Sequence, residues 1–94
     1  MMSNKLITGK LYFEFIDNNN IILLPVGKLV GGKKHGIWTM YRSNGFKKSQ
    51  GFYFDSLKEG FWFVWSDDGS KYLEIKYKEN QLIHYTNCVV NSCD

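Results

Sequence analysis

A ten-residue phrase occurs twice in this chain, with a spacing of 24 residues. The first copy reads Gly36-x-Trp38-x-x-Tyr41-x-x-Asn44-Gly45, and the second reads Gly60-x-Trp62-x-x-Trp65-x-x-Asp68-Gly69. Self-similarity at a fixed period is typical of folds built from repeated supersecondary units. The sequence therefore predicts an array of similar units, and this prediction constrains the fold before any single residue is considered.

Each unit has the pattern of a β-hairpin. Asn44-Gly45 and Asp68-Gly69 are pairs that accept the positive φ angles of tight turns. The segment 72–77 alternates apolar and polar residues, as a half-buried strand does, and 49–54 has similar β character. The units are predicted to be joined by polar connections of six residues, at positions 31–36 and 55–60.

A degenerate copy precedes the two clear ones. It comprises a strand over 11–16, a turn over 17–20 and a partner strand over 21–30, with Phe13 in the place of the tryptophan. Pro25 is expected at an edge or a bend, because proline cannot donate a hydrogen bond to a neighbouring strand. After the second clear copy, residues 82–85 read as the opening strand of a repeat that is not completed.

No segment shows helical periodicity, since turn signals interrupt the chain every eight to twelve residues. The predicted fold is all-β, an antiparallel meander of stacked β-hairpins with about six to seven strands. A single domain covers 1–94. Within it we assign a degenerate repeat at 9–31, repeats at 32–55 and 56–80, and a C-terminal strand and tail at 81–94.

The repeated pattern resembles MORN repeats, particularly the variant of bacterial antitoxin-like proteins. This resemblance implies an elongated antiparallel sheet that serves protein–protein contact, dimerisation or scaffolding, sometimes lipid contact, and it implies no catalytic residues. The chain departs from the family in having Trp65 for tyrosine, Ser56 for glycine and a slightly longer period. The matching residues are Gly32, Gly36, Trp38, Tyr41, Asn44, Gly45 and Tyr53, then Gly60, Trp62, Trp65, Asp68, Gly69 and Tyr77.

The composition is that of one small globular domain. The chain has 94 residues, of which 44% are hydrophobic and 17% aromatic, and a net charge of +3, too mild to indicate nucleic acid binding. The N-terminal segment lacks the apolar stretch of a signal peptide, and no segment has the roughly 20 apolar residues of a membrane span. We therefore expect a soluble cytoplasmic protein whose two cysteines, near the tail, are reduced.

The aromatic run at 61–65 places large side chains on both faces of one strand, because neighbouring residues point in opposite directions. Either the domain covers both faces itself, or one face binds a partner, which would be another protein or a second copy in a homodimer. The second alternative predicts a non-enzymatic interaction module, acting as an inhibitor or antitoxin-like protein. Its predicted partner-binding residues are Trp38, Tyr41, Phe61, Trp62, Phe63 and Trp65.

Lysines that recur in the repeat frame suggest an alternative function. If they align on one face, they would bind anionic surfaces such as phospholipid headgroups or nucleic acid. Otherwise they are solvated residues that keep exposed strands from pairing with other sheets. The lysines considered for the anionic surface are Lys33, Lys34, Lys47, Lys48 and Lys71.

Metal binding and catalysis have little support in the sequence. His84, Cys88 and Cys93 form His-x3-Cys-x4-Cys, which offers three ligands to zinc, but this spacing is not that of a recognised zinc finger. No nucleophile stands beside a base in a motif, and no pair of carboxylates suggests a cleft. We therefore predict no enzyme activity, no metal, no cofactor and no small-molecule substrate.

Overall fold

The computed structural model describes residues 3–7 and 9–93, with side chains described from residue 9 onward. Its strands are β1 Ser3–Ile7, β2 Lys10–Asp17, β3 Asn20–Val30, β4 Lys33–Tyr41, β5 Lys47–Phe54, β6 Leu57–Trp65, β7 Lys71–Lys78, β8 Gln81–Val89 and β9 Ser92–Cys93. They form one sheet in sequence order, and every neighbouring pair is antiparallel. The all-β hairpin meander is thus confirmed. Among the described residues, β1 and the two-residue β9 add to the six to seven strands predicted.

The sheet is a single layer. The molecule measures 41 × 35 × 16 Å, so its thickness is that of one sheet with side chains on both sides. Within the described part of the chain, no helix is long and apolar enough to cross a membrane. Few side chains are buried, and those described as buried are Val26, Trp38, Thr39, Trp62, Ile75 and Cys88. The core is therefore thin and lies on both faces of the sheet, since Trp38 and Thr39 are consecutive residues of β4.

Two-residue turns connect successive hairpins at one end of the sheet. They are Gly31-Gly32, Asp55-Ser56 and Glu79-Asn80, and both residues of each turn have positive φ. The Ser56 amide donates to the Lys34 carbonyl at 2.9 Å, and the Asn80 amide donates to the Lys58 carbonyl at 2.9 Å. These bonds join the turns at Asp55-Ser56 and Glu79-Asn80 to β4 and β6.

The prediction of six-residue connections is wrong. Residues 33–36 and 57–60 continue β4 and β6 instead of forming loops. The physical reason is that Asp55 and Ser56 both adopt the left-handed conformation and make a tight two-residue turn, which the sequence analysis did not predict. Their polar character suggested a loop, whereas it reflects the exposed end of a long hairpin.

The turns at the opposite end follow the prediction. Gly45 and Gly69 have φ of 88° and 75°, and their amides donate to the carbonyls of Arg42 and Ser66 at 2.9 and 3.0 Å. Asn44 and Asp68, by contrast, do not have positive φ, so each turn uses the left-handed conformation at glycine alone. The Asn-Gly and Asp-Gly pairs are thus confirmed as turn residues.

The N-terminal unit differs from the predicted copy in one respect. Phe13 does not take the place of the tryptophan, because Leu11 is the residue of β2 that pairs with Gly27. The Phe13 ring stacks on Tyr41, with ring centroids 5.4 Å apart. Pro25 lies where the β2–β3 register shifts, which agrees with its expected position at an irregular part of the strand.

The two cysteines form a disulfide between β8 and β9, with a sequence separation of 5. The expectation of reduced thiols is therefore wrong. Cys88 and Cys93 are directly opposite each other in the β8–β9 register, and this adjacency is what brings the sulfurs together. Cytoplasmic location, which relied partly on reduced thiols, stays a prediction.

Candidate functional site: an open aromatic face

The two faces of the sheet carry different side chains. Trp38, Gly51, Trp62 and Ile75 are consecutive partners across β4 to β7, so they share one face, which we call the Trp face. Residues next to them in each strand point to the opposite face. We call that side the Phe face, because Phe52, Phe61 and Phe63 lie on it.

The tryptophans of the Trp face lie over glycines of the preceding strand. A Cβ at Gly27 would be 2.3 Å from the Trp38 ring, and a Cβ at Gly51 would be 1.9 Å from the Trp62 ring. The indole Nε1 atoms donate to the carbonyls of Lys28 and Phe52 at 3.2 and 3.0 Å. Each indole is thus fixed across the neighbouring strand, and both tryptophans are more than 90% buried, at 7% and 5% exposure.

A lysine and a tyrosine cover each tryptophan. Lys34 Nζ lies 5.2 Å from the Trp38 ring centroid and 4.9 Å from that of Tyr53. Lys58 repeats the arrangement over Trp62 and Tyr77, at 5.1 and 4.9 Å. Such cation–π contacts contribute about 0.5–1 kcal/mol each at exposed sites. The centre of the Trp face is therefore covered by side chains of this chain.

The Phe face carries a patch of apolar side chains that stay exposed, although Lys76 Nζ lies 5.8 Å from the Phe61 ring centroid. In the register, Ile37 pairs with Phe52, and Phe54 pairs with Leu57. We define the Phe patch as Ile37, Phe52, Phe54, Leu57 and Phe61, whose exposures range from 37% to 58%. His35 lies at its margin, 5.5 Å from the Phe54 ring. The patch spans three neighbouring strands, β4 to β6.

The structure distributes the six predicted partner-binding residues over both faces. Trp38 and Trp62 are buried on the Trp face, whereas Phe61 is exposed in the Phe patch. Phe63 and Trp65 are half-buried and stack on each other, with centroids 6.1 Å apart. Tyr41 is half-buried against Phe13, and its hydroxyl donates to the Pro25 carbonyl at 2.6 Å. The six therefore do not form one surface.

Four residues of the Phe patch were missed in the sequence. The strands that contain these residues were predicted in part. The predicted partner-binding set, however, was based on tryptophans and tyrosines, several of which lie on the other face. The four missed residues are Ile37, Phe52, Phe54 and Leu57. The signal was present in the alternation of 51–54, where Phe52 and Phe54 flank Tyr53. Two adjacent phenylalanines on the face opposite the covered tryptophans are the pattern that indicates the patch.

The lysines considered for an anionic surface lie at opposite ends of the strands. Lys33 and Lys34 begin β4, whereas Lys47 and Lys48 begin β5, which pairs with the end of β4. Lys71 begins β7, beside the turn at Gly69. In addition, Lys33 Nζ is 3.3 Å from an Asp55 carboxylate oxygen, and Lys34 covers Trp38. These five lysines do not form a continuous basic patch.

Among the residues whose side chains the structure describes, two groups have a pKa shifted from its ordinary value. Three hydrogen bonds, from the Ser70 amide and hydroxyl and from the Ser66 hydroxyl, lower the pKa of Asp68 to about 2. Burial raises the pKa of Tyr41, and a hydrogen bond with the Thr39 side chain opposes this increase. Asp68 stabilises its turn, and Tyr41 joins β4 to β3.

The potential metal ligands differ from the His84, Cys88 and Cys93 motif that was considered in the sequence. His84 Nε2 is 3.2 Å from the Thr86 hydroxyl. Cys88 and Cys93 are joined to each other, and the residue that approaches them is Glu74 of β7. In the described part of the chain, the ligand atoms of Glu74, Cys88 and Cys93 lie within 4.8 Å of one another.

Comparison with known proteins gives no relative for this chain. No protein-family model, no curated protein and no solved structure matches it.

Proposed function

We propose that this chain is a non-enzymatic protein-binding module that contacts its partner through the Phe patch. The observation that carries the proposal is the contrast between the two faces. On the Trp face, Lys34 and Lys58 cover the aromatic rings, whereas on the Phe face Phe54 and Phe61 are more than half exposed. Exposed contiguous apolar side chains are typical of contact surfaces, and aromatic residues anchor them.

The thinness of the sheet supports the same proposal. A sheet of one layer has no second layer to cover its other face, so an apolar face is stabilised when a partner excludes water from it. Removing apolar surface from water contributes about 25 cal/mol per Å², so burial of the five side chains of the Phe patch would provide a substantial driving force.

The resemblance to MORN repeats suggests the mode of action. MORN-like sheets serve protein–protein contacts, and the pattern of this chain resembles particularly the variant of bacterial antitoxin-like proteins. We therefore propose that binding inhibits the partner. The lysines of the anionic-surface alternative lie at opposite ends of the strands, which does not favour a single anion-binding patch.

The test compares two substitutions of equal chemistry. Phe54 lies in the Phe patch and is 58% exposed, whereas Phe46 lies in the β4–β5 turn and is 64% exposed. Wild type, Phe54→Ser and Phe46→Ser are immobilised and exposed to lysate of the native host, and retained proteins are quantified. The proposal expects a protein held by wild type and Phe46→Ser and lost with Phe54→Ser. A partner held equally by all three variants, or no partner with wild type, would contradict it.

A further inference from the structure

Three potential metal ligands meet at the C-terminal edge of the sheet, on three neighbouring strands. Glu74 is in β7, Cys88 in β8 and Cys93 in β9, and their ligand atoms lie within 4.8 Å of one another. Cys93 Sγ is 4.0 Å from Glu74 Oε2. Two sulfurs and a carboxylate are a ligand set that zinc accepts.

We propose that Glu74, Cys88 and Cys93 bind one zinc ion when the disulfide is reduced. The cluster would thus have two states, a disulfide under oxidising conditions and a zinc site under reducing ones. This inference does not rest on the protein-binding function, since the cluster lies on β7 to β9 and the Phe patch on β4 to β6.

The strand register holds the ligands near each other without the S–S bond. Cys88 pairs with Tyr72 and Thr86 pairs with Glu74 in the β7–β8 ladder, which extends over Lys71–Lys78. Glu74 is therefore diagonal to Cys88 on the same face, within reach of a long side chain. Cys93 is directly opposite Cys88 across β8–β9. Reduction removes one bond and leaves the ladder that positions Glu74 and Cys88.

The distances suit tetrahedral zinc. Zn–S bonds of about 2.3 Å and Zn–O bonds of about 2.1 Å place two sulfurs roughly 3.8 Å apart and a sulfur and an oxygen roughly 3.6 Å apart. The sulfur–oxygen separation in the structure is 4.0 Å, so Glu74 needs only a small adjustment. The two sulfurs are bonded to each other in the disulfide, so they must move apart to bind zinc, and reduction of the disulfide permits this movement. A water molecule would complete the four ligands, as in open zinc sites.

The conversion is balanced with a dithiol as the reductant. The dithiol transfers two electrons and two protons to the disulfide, which gives the thiols of Cys88 and Cys93 and the cyclic disulfide of the reductant. Zinc then binds the two thiolates and the Glu74 carboxylate, and the two thiol protons are released to solvent. In the reverse direction, a disulfide oxidant would accept two electrons from the two thiolates, and the Cys88–Cys93 bond would re-form as the metal is released.

The experiment uses the whole chain with zinc or cobalt as the probe. After reduction and removal of the dithiol without oxygen, the protein is titrated with Co²⁺, whose thiolate complexes absorb in the near ultraviolet, and Zn²⁺ is added in competition. We expect one ion per reduced chain and none per oxidised chain. Cys93→Ser changes an exposed residue and removes one of the two sulfur ligands. The Co²⁺ complex of this variant should therefore lack the near-ultraviolet absorbance of a two-thiolate site.

Two further variants distinguish this site from the motif in the sequence. Glu74→Gln should weaken binding by at least roughly tenfold, since even the outer-shell partners of metal ligands contribute that much. His84→Ala should leave it unchanged, because His84 contacts Thr86 instead. Circular dichroism checks that the reduced protein keeps its sheet.

Several outcomes would overturn the proposal. They are no stoichiometric binding by the reduced chain, equal binding by Cys93→Ser, loss of binding in His84→Ala without loss in Glu74→Gln, and unfolding on reduction. The last counts against it because the site requires the β7–β8 register.

Discussion

Gly51 and Trp62 are paired directly across β5 and β6, and the indole of Trp62 covers the space where a side chain at Gly51 would lie. Gly27 and Trp38 repeat the relationship one period earlier. One period later, Ile75 stands in the glycine position and pairs with Tyr85 of β8, so neither the glycine nor the tryptophan is kept. The small and the large residue thus depend on each other within the repeat.

Gly51→Ala should therefore destabilise the protein, although alanine is the better residue in a strand. The added Cβ would be 1.9 Å from the Trp62 ring, so the indole must move and its hydrogen bond to the Phe52 carbonyl is weakened. We expect a loss of about 1–3 kcal/mol in the free energy of unfolding, as for other overpacked sites. Urea denaturation measures it.

A double-mutant cycle provides the control for Gly51→Ala. In a Trp62→Ala background the indole is absent, so the same substitution should cost much less than in wild type. Equal costs in the two backgrounds would show that the destabilisation has another origin.

Asp68 should make stability depend on pH in acid. Its pKa is lowered from 3.8 to about 2, so the folded state binds this proton less tightly than the unfolded state. Its contribution is present above about pH 4 and is lost as the pH falls through about 2. Asp68→Asn, which cannot titrate, should be less stable at neutral pH and should lose less stability between pH 4 and pH 2 than wild type.

Urea midpoints at several pH values test the Asp68 prediction. Ser70→Ala removes the hydroxyl that donates to Asp68 at 2.7 Å, so it should change the acid profile in the same direction by a smaller amount. If wild type and Asp68→Asn have parallel profiles below pH 4, the carboxylate does not contribute as described.

Tyr41 should make the stability of the protein depend on pH under alkaline conditions. Burial raises its pKa above 10.0, so its contribution to stability is present below about pH 10 and is lost as the pH rises through the folded value. Tyr41→Phe removes the hydrogen bond to the Pro25 carbonyl and should cost about 0.5–1.5 kcal/mol at neutral pH. Above pH 10 its stability should decrease less steeply than that of wild type.

Thermal denaturation from pH 7 to pH 11 measures this difference. Tyr85→Phe is the matched control, because Tyr85 is 57% exposed, and its stability should stay within about 0.5 kcal/mol of wild type. Equal losses in the two variants would contradict the role assigned to the Tyr41 hydroxyl.

The outer edge of β8 should promote association between sheets. Among the described residues, β9 pairs only with Cys88 and Val89, which leaves the outer edge over 81–87 without a partner strand. Residues 80–93 contain no Asp, Glu, Lys or Arg, and charged side chains are what commonly protect such edges. Ile83→Lys should therefore reduce self-association at high concentration without a large change in stability.

Light scattering as a function of concentration tests the edge prediction. Val89→Lys is the control, because Val89 is also exposed, at 47%, but pairs with Lys71 on one side and with Ser92 on the other. If both lysine variants reduce association equally, added charge is responsible and the edge is not.

Much of the fold could be predicted from residues near each other in sequence. The Asn44-Gly45 pair and its counterpart indicated turns, and the period of 24 residues indicated repeated hairpins. The tight turn at Asp55-Ser56 was not predicted, because neither residue requires positive φ. In the sequence, a long hairpin with polar strand ends also resembles two shorter strands joined by a loop.

The sequence by itself determined a meander of hairpins with side chains alternating between two faces, because turn chemistry and strand periodicity are local properties. Only the tertiary structure decided which face is covered, where Trp62 crosses to Gly51, and that Cys88 meets Cys93. Alternation gives two equivalent faces in a single-layer sheet, and the choice between them depends on the contacts that indoles, lysines and sulfurs make across neighbouring strands.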